Sequence, residues 1–215
     1  MNFYFPEGMK VYYSETFAAA KVITGVSNAN PALATSVGHG YADGDIILLD
    51  SGWEDATNNI VKVDQQSADT FQLLGLNTSD TDWFEAGAGT GNAYKVSDWV
   101  EIPGLLTFQT QGGDPRNTQI DLLAKRNSIS VPTGFNPTTI SGTLVWDPAD
   151  AAQIAMLNIT RTLTEVALKL VMSGGAKAYA YGNLALSEVP SFNRNQVNSA
   201  TLALSVRNRL LAYGS

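Results

Sequence analysis

HGYADGDIILLDSGWED, His39 to Asp55, decides how the chain is read, because it sets the only histidine among five carboxylates, Asp43, Asp45, Asp50, Glu54 and Asp55. Either these groups form a reactive or metal-binding centre, or the stretch is a turn, a strand and a second turn of a small β-module. The order of residue types favours the module. Asp43-Gly44 is a tight-turn pair, in which aspartate bonds local backbone and glycine accepts positive φ. The apolar run Ile46 to Leu49 follows at once, leaving no place for the alternating ligands and closing glutamate of an EF-hand loop.

Turn residues recur on both sides at close spacing: Asn30-Pro31, Gly38, Ser51-Gly52, Asn58-Asn59, Ser67 to Asp69 and Gly75. Between them stand VITGV, ALATSV, DIILLD, NIVKVD and TFQLLGL, which predict short strands of a small barrel or sandwich. The chain's formal charge of −7 belongs to this segment. Lys21 to Asp82 carries nine acids against two bases, and the remainder carries eleven of each. Such an imbalance marks a unit with its own solvated surface. WFEAGAGTGNAYKV, from Trp83, then reads as a flexible glycine-rich connector, with a domain boundary near 83–95.

Beyond Trp99 the runs lengthen. Leu105 to Gln111, a tip GGDPRN and Thr118 to Ala124 read as a long hairpin, with Leu106 and Phe108 on one face and Thr107, Gln109 and Gln111 on the other. A helix is expected near 148–163, capped by Asp147, with Pro148 in its first turn and Asp150 favouring the positive dipole end. Its apolar stripe would be Ala152, Met156, Ile159 and Leu163. Gly174-Gly175 predicts a second hairpin, and Leu202, Leu204 and Val206 alternate in a final strand. The expected fold is therefore mainly β, a sandwich or barrel with one flanking helix and a smaller β-module beside it.

The inventory for chemistry is thin. No cysteine is present, which removes disulfides and thiolate chemistry. One histidine cannot write a two-histidine metal motif, and no G-x-S-x-G elbow accompanies it. GAGTGNAY lacks the lysine of a phosphate loop. Asn77 and Asn158 head glycosylation sequons that say little where no export signal is visible. Lys125-Arg126 and Arg207 with Arg209 are short basic pairs rather than a nucleic-acid patch. No apolar run of membrane-spanning length occurs, and the N-terminus lacks a signal-peptide pattern, so a soluble chain is expected. No catalytic, metal or cofactor residues are assigned.

The run from Ile23 to Asp80, with its Asn-Pro turn, HG-x-x-DGD, strand, Ser-Gly, paired asparagines and closing DTF-x-L-x-G, resembles a β-module that recurs in tailed-phage proteins. Asn77 stands where that pattern more often has aspartate. GMKVYYSET, the tip at Gly112 to Asp114, VPTGFNP at Val131 to Pro137, the helix after Trp146-Asp147-Pro148, and EVPSF at Glu188 to Phe192 together resemble the tail tube protein of long, non-contractile phage tails. The resemblance implies residues 1–21 and 83–215 as the tube core and 22–82 as an insertion that decorates the outside. It also implies a virion protein, made in the host cytoplasm, that forms hexameric rings stacked into a conduit for DNA ejection. Its partners would be its own copies and the tape-measure, tail terminator and tail-tip proteins, with DNA passing unread and no membrane insertion.

Within that expectation Thr107, Gln109, Gln119 and Asp121 are candidates to line the lumen, since an uncharged or acidic wall lets a polyanion slide. Gly112, Gly113, Asp114 and Arg116, with Phe3 and Phe5 of the N-terminal arm, are candidates for contacts between subunits or rings. A carbohydrate- or surface-binding module of a tail tip or fibre is the alternative.

Overall fold

The computed structural model describes residues 7–214, which are mainly β with one helix among them. Along the chain, β1 (Lys10–Ser14) is followed by β2 (Lys21–Ile23), β3 (Gly25–Val26), β4 (Ala32–Thr35), β5 (Ile46–Ser51), β6 (Asn59–Gln65), β7 (Thr70–Leu74) and β8 (Gly91–Lys95). Then come β9 (Val100–Glu101), β10 (Leu105–Gln111), β11 (Pro115–Ile120), β12 (Ile129–Phe135) and β13 (Thr139–Val145). Helix α1 (Ala151–Thr162) precedes β14 (Glu165–Val171), β15 (Lys177–Leu186), β16 (Ser199–Val206) and β17 (Leu211–Tyr213).

Strands β2 to β8 form a seven-stranded sheet in the order β2-β8-β5-β6-β7-β4-β3. Its two end strands are consecutive pieces of the VITGV run, separated only by Thr24, so the sheet wraps round into a small barrel. Alternate residues such as Ile47, Leu49, Val61, Val63, Phe71 and Leu73 fill the interior, as the period of two requires.

The glycine-rich stretch expected to be a connector instead supplies β8, which pairs with both β2 and β5. Its glycines answer a packing demand rather than a need for flexibility. A Cβ at Gly91 would lie 2.0 Å from the Asp50 carbonyl oxygen, and one at Gly89 2.6 Å from the Trp53 ring.

The larger sheet runs β10-β13-β16-β15-β14-β1-β9, with β17 added on β15. Val11 and Tyr13 near one end share a single buried cluster with Ile140 and Leu144 near the other, so the sheet is strongly curled around its core. Met156 and Ile159 of α1 complete that cluster, and the Tyr13 hydroxyl donates to the Ala152 carbonyl. The expected hairpin at Gly174-Gly175 forms between β14 and β15, with Gly175 at φ 85°.

Three local expectations are corrected. Asp150, not Asp147, caps α1, its carboxylate accepting the Gln153 N–H at 2.9 Å, while Asp147 closes the turn before it through the Ala149 N–H. Leu163 lies past the helix end in a left-handed conformation and is exposed. Gln153 takes an inward place because both ends of its amide are bonded, the oxygen accepting from the Asp147 N–H and the nitrogen donating to the Val145 carbonyl. Leu106 falls at a register shift and is exposed, whereas Leu105 and Phe108 pack against the core.

A fourth correction is topological. β10 and β11 do not pair with each other: β10 pairs with β13, and β11 with β12. The chain therefore runs outward through β10 and β11, turns at 121–128 and returns through β12 and β13 as one long arm. Gly112 and Gly113, at φ 85° and 76°, make a bend within the outgoing side rather than its tip. A Cβ on Gly112 would meet the Pro137 carbonyl oxygen at 1.9 Å, so the returning side crosses too closely for any other residue.

Candidate assembly surfaces

The stretch around His39 belongs to the module's framework. His39 is buried; its Nδ1 accepts the Tyr41 N–H at 2.9 Å, and its Nε2 faces the Ser67 carbonyl at 3.0 Å, so both ring nitrogens are committed. Its ring clusters with those of Tyr41, at a tilt, and Phe71, edge-on, which also touch each other. The Asp43 carboxylate accepts the Gln65 N–H, and that of Asp45 takes the Ala42 N–H and the Lys95 ammonium at 2.7 Å. The carboxylates pin turns to strands, as local side-chain bonding at Asp-Gly turns does.

Barrel and core sheet meet along a shared apolar seam of Ile46, Leu48 and Ile60 from the barrel and Ala167, Tyr179 and Tyr181 from the core. The C-terminal strand locks this seam. The Tyr213 hydroxyl donates to the Leu74 carbonyl at 2.8 Å and accepts the Lys62 N–H at 3.0 Å, while the Asn208 amide donates to the carbonyls of Asp55 and Thr57. Burial pushes the Tyr213 phenol up to about 12, with the neighbouring Tyr179 adding to the shift and the Lys62 N–H opposing it. Tyr181 is also raised, first by burial and then by Glu165, to which it donates a hydrogen bond and which also pairs with Arg207. The Lys169 ammonium lies 4.4 and 4.5 Å from the ring centres of Tyr12 and Trp99, and burial lowers its pKa.

On the other flank of the curled sheet, the outward face of β10, β13 and β16 is uncovered and uncharged. Register places Thr107 opposite Thr143 and Gln109 opposite Ser141, and these in turn lie opposite Thr201 and Ala203. The Thr107 and Thr143 hydroxyls bond each other at 2.7 Å. Two of the four expected lumen residues, Thr107 and Gln109, thus share one surface. Gln119 lies on the arm opposite Ser130, and Asp121 lies beyond the end of β11, so neither shares that face.

The arm is a two-stranded ribbon with two unlike sides. Ile120 pairs with Ile129 and Thr118 with Val131 on one side, while Gln119 and Ser130 lie on the other. Every residue from Gln109 to Thr133 is exposed, and Ile120, Leu122, Leu123, Val131 and Phe135 are among the exposed large apolar residues. Of the expected contact residues, the Gly113 N–H donates to the Asn136 carbonyl and the Asp114 carbonyl accepts the Asn136 N–H, which places them at the arm's bend. The Arg116 carbonyl accepts the Thr133 hydroxyl. Phe3 and Phe5 lie outside the described residues. The tip, Asp121 to Ser128, escaped the sequence reading because its return strand was not paired with β11. The alternation Ile129-Ser130-Val131 was the available signal.

A free sheet edge at β10 beside an exposed ribbon with one apolar side is a surface suited to a partner, since such edges and patches mark sites of association. The chain belongs to the phage tail tube protein family, whose sequence model matches residues 51–215. The match begins at the end of β5 and takes in β6 to β8 of the barrel and every strand of the core sheet except β1. Among solved structures, the tail tube of SPP1, a hybrid of solid-state NMR and cryo-EM, is similar at 15% identity and a TM-score of 0.43, over 55% of this chain and 69% of that one. No curated protein matches the chain.

Proposed function

We propose that copies of this chain close into hexameric rings, and that the rings stack into the tube through which phage DNA leaves. The uncharged face of β10, β13 and β16 is the observation that carries this reading. A duplex presents one negative charge about every 1.7 Å, so a cationic wall would hold it by releasing counterions, whereas a threonine, serine and glutamine wall offers no such anchor. With that flank turned to the lumen, the flank bearing the barrel turns outward, and the stretch from Lys21 to Lys95 is a decorating insertion. The free β10 edge would be covered by the neighbouring subunit, converting an aggregation hazard into ring closure.

In this reading the tape-measure, terminator and tip proteins are the further partners, and assembly takes place in the host cytoplasm. Electron microscopy of the concentrated protein, with native mass measurement of the rings, is the test. Hollow tubes or six-copy rings are expected; discrete monomers under every condition, or rings of another number, would refute the proposal or its stoichiometry.

A further inference from the structure

We propose that the tip of the arm of one copy seats in the groove between α1 and the segment 187–198 of a second copy, with Leu122 and Leu123 as its anchors. This rests on the tube reading above and adds the surface that each arm meets.

The tip needs a partner. Leu123 is fully exposed, Leu122 is 45% exposed, and neither joins any of the three buried clusters. A two-stranded ribbon alone is at best marginally stable in water, and one that keeps isoleucine and valine on a single side is built to be covered on that side. Next to the leucines stand Lys125 and Arg126, which form no ion pair among the described residues.

The groove has the complementary features. A cavity of about 150 Å³ is lined mainly by Trp146, Pro148, Ile154, Leu157 and Leu186, with the polar Gln153 and Ser187 and the acidic Asp147 and Glu188 also in its wall. Phe192 stands edge-on to Trp146 at 6.0 Å, extending the apolar surface while itself 65% exposed. Glu188 already holds Arg161 at 2.7 Å, but Asp147 has no cation among the described residues. Two leucines beside two free cations therefore match an apolar slot beside a free carboxylate, and like-signed partners would be repelled. Because tip and groove are different surfaces, the contact is heterologous, the kind that propagates into rings or stacks rather than ending in a pair.

The absence of native cysteine makes the test direct. Leu123→Cys and Ile154→Cys proteins are mixed under assembling conditions and oxidised, beside a control mixture of Leu123→Cys with Val37→Cys on the barrel surface. A disulfide-linked pair is expected from the first mixture and not from the control. The double change Lys125→Glu and Arg126→Glu is expected to raise the concentration needed for assembly about tenfold, and Asp147→Lys to restore part of it. Tubes or rings in the microscope without the 123–154 linkage overturn the docking and leave the tube reading standing. Neither assembly nor linkage overturns both.

Discussion

Tyr213 ties three separate segments with one hydroxyl: its own strand rests on β15, and its oxygen holds the backbone of β6 and β7. Tyr213→Phe would leave the Lys62 N–H and the Leu74 carbonyl short of a partner, at a cost of roughly 1–3 kcal/mol for a buried pair, measured by denaturant unfolding near neutral pH. The same phenol sets an alkaline limit. Its folded pKa, about 12, stands above the usual value near 10, so the folded state binds this proton more tightly. Its contribution is therefore complete below about pH 10 and is lost as pH climbs through about 12. Stability measured from pH 9 to 12 should fall less steeply in Tyr213→Phe than in the parent, with Tyr41, also pushed up to about 12 mainly by burial, supplying part of what remains. Sequence could not reach this tyrosine, since nothing near position 213 signals a bond 139 residues away. By contrast, the framework role of the His39 stretch was readable, because Asp-Gly chemistry is local.

Elements show the same division between local and distant information. Closely spaced turn residues located the strands from β4 to β7, and alternation beside the Gly174-Gly175 pair located the hairpin of β14 and β15. Alternation could not say that β10 pairs with β13, because the period of two is the same whichever partner a strand takes. The glycine pair at 112–113 therefore looked like a hairpin tip while serving as a bend. The helix start was missed by three residues because both aspartates make capping bonds, Asp147 in the preceding turn and Asp150 to the helix itself. Asp150→Ala is expected to cost about 1 kcal/mol, the ordinary value of an N-cap, in the unfolding free energy of the isolated chain. Shortening the arm, by joining Gly113 to Asn136 through a two-residue turn, tests its separation from the fold. Since none of its residues contributes to a buried cluster, the melting curve should be almost unchanged while tube formation is lost. A large drop in melting temperature would mean that the arm stabilises the monomer instead.

At the scale of the whole molecule, a strongly curled sheet has two outward flanks, and this chain treats them differently. One is sealed by the barrel through Tyr179, Tyr181 and the β17 lock; the other carries hydroxyls and amides with no charge among them. The sequence showed the alternating threonines and glutamines of β10, but only the register with β13 and β16 gathers them into a continuous wall. Thr107→Lys with Gln109→Lys places two cations per copy on exposed positions that support no core packing, so tubes should still assemble. Every copy repeats the change along the tube, and each lysine facing DNA adds roughly 0.9 to the salt slope of retention on a duplex. DNA release from particles carrying the variant should therefore slow, with most of the delay removed by raised salt. Asp121→Lys, at the arm tip and off this face, should not slow release once particles have formed. Unchanged release by the Thr107 and Gln109 variant in morphologically normal particles would remove this face from the lumen, whatever the fate of the arm.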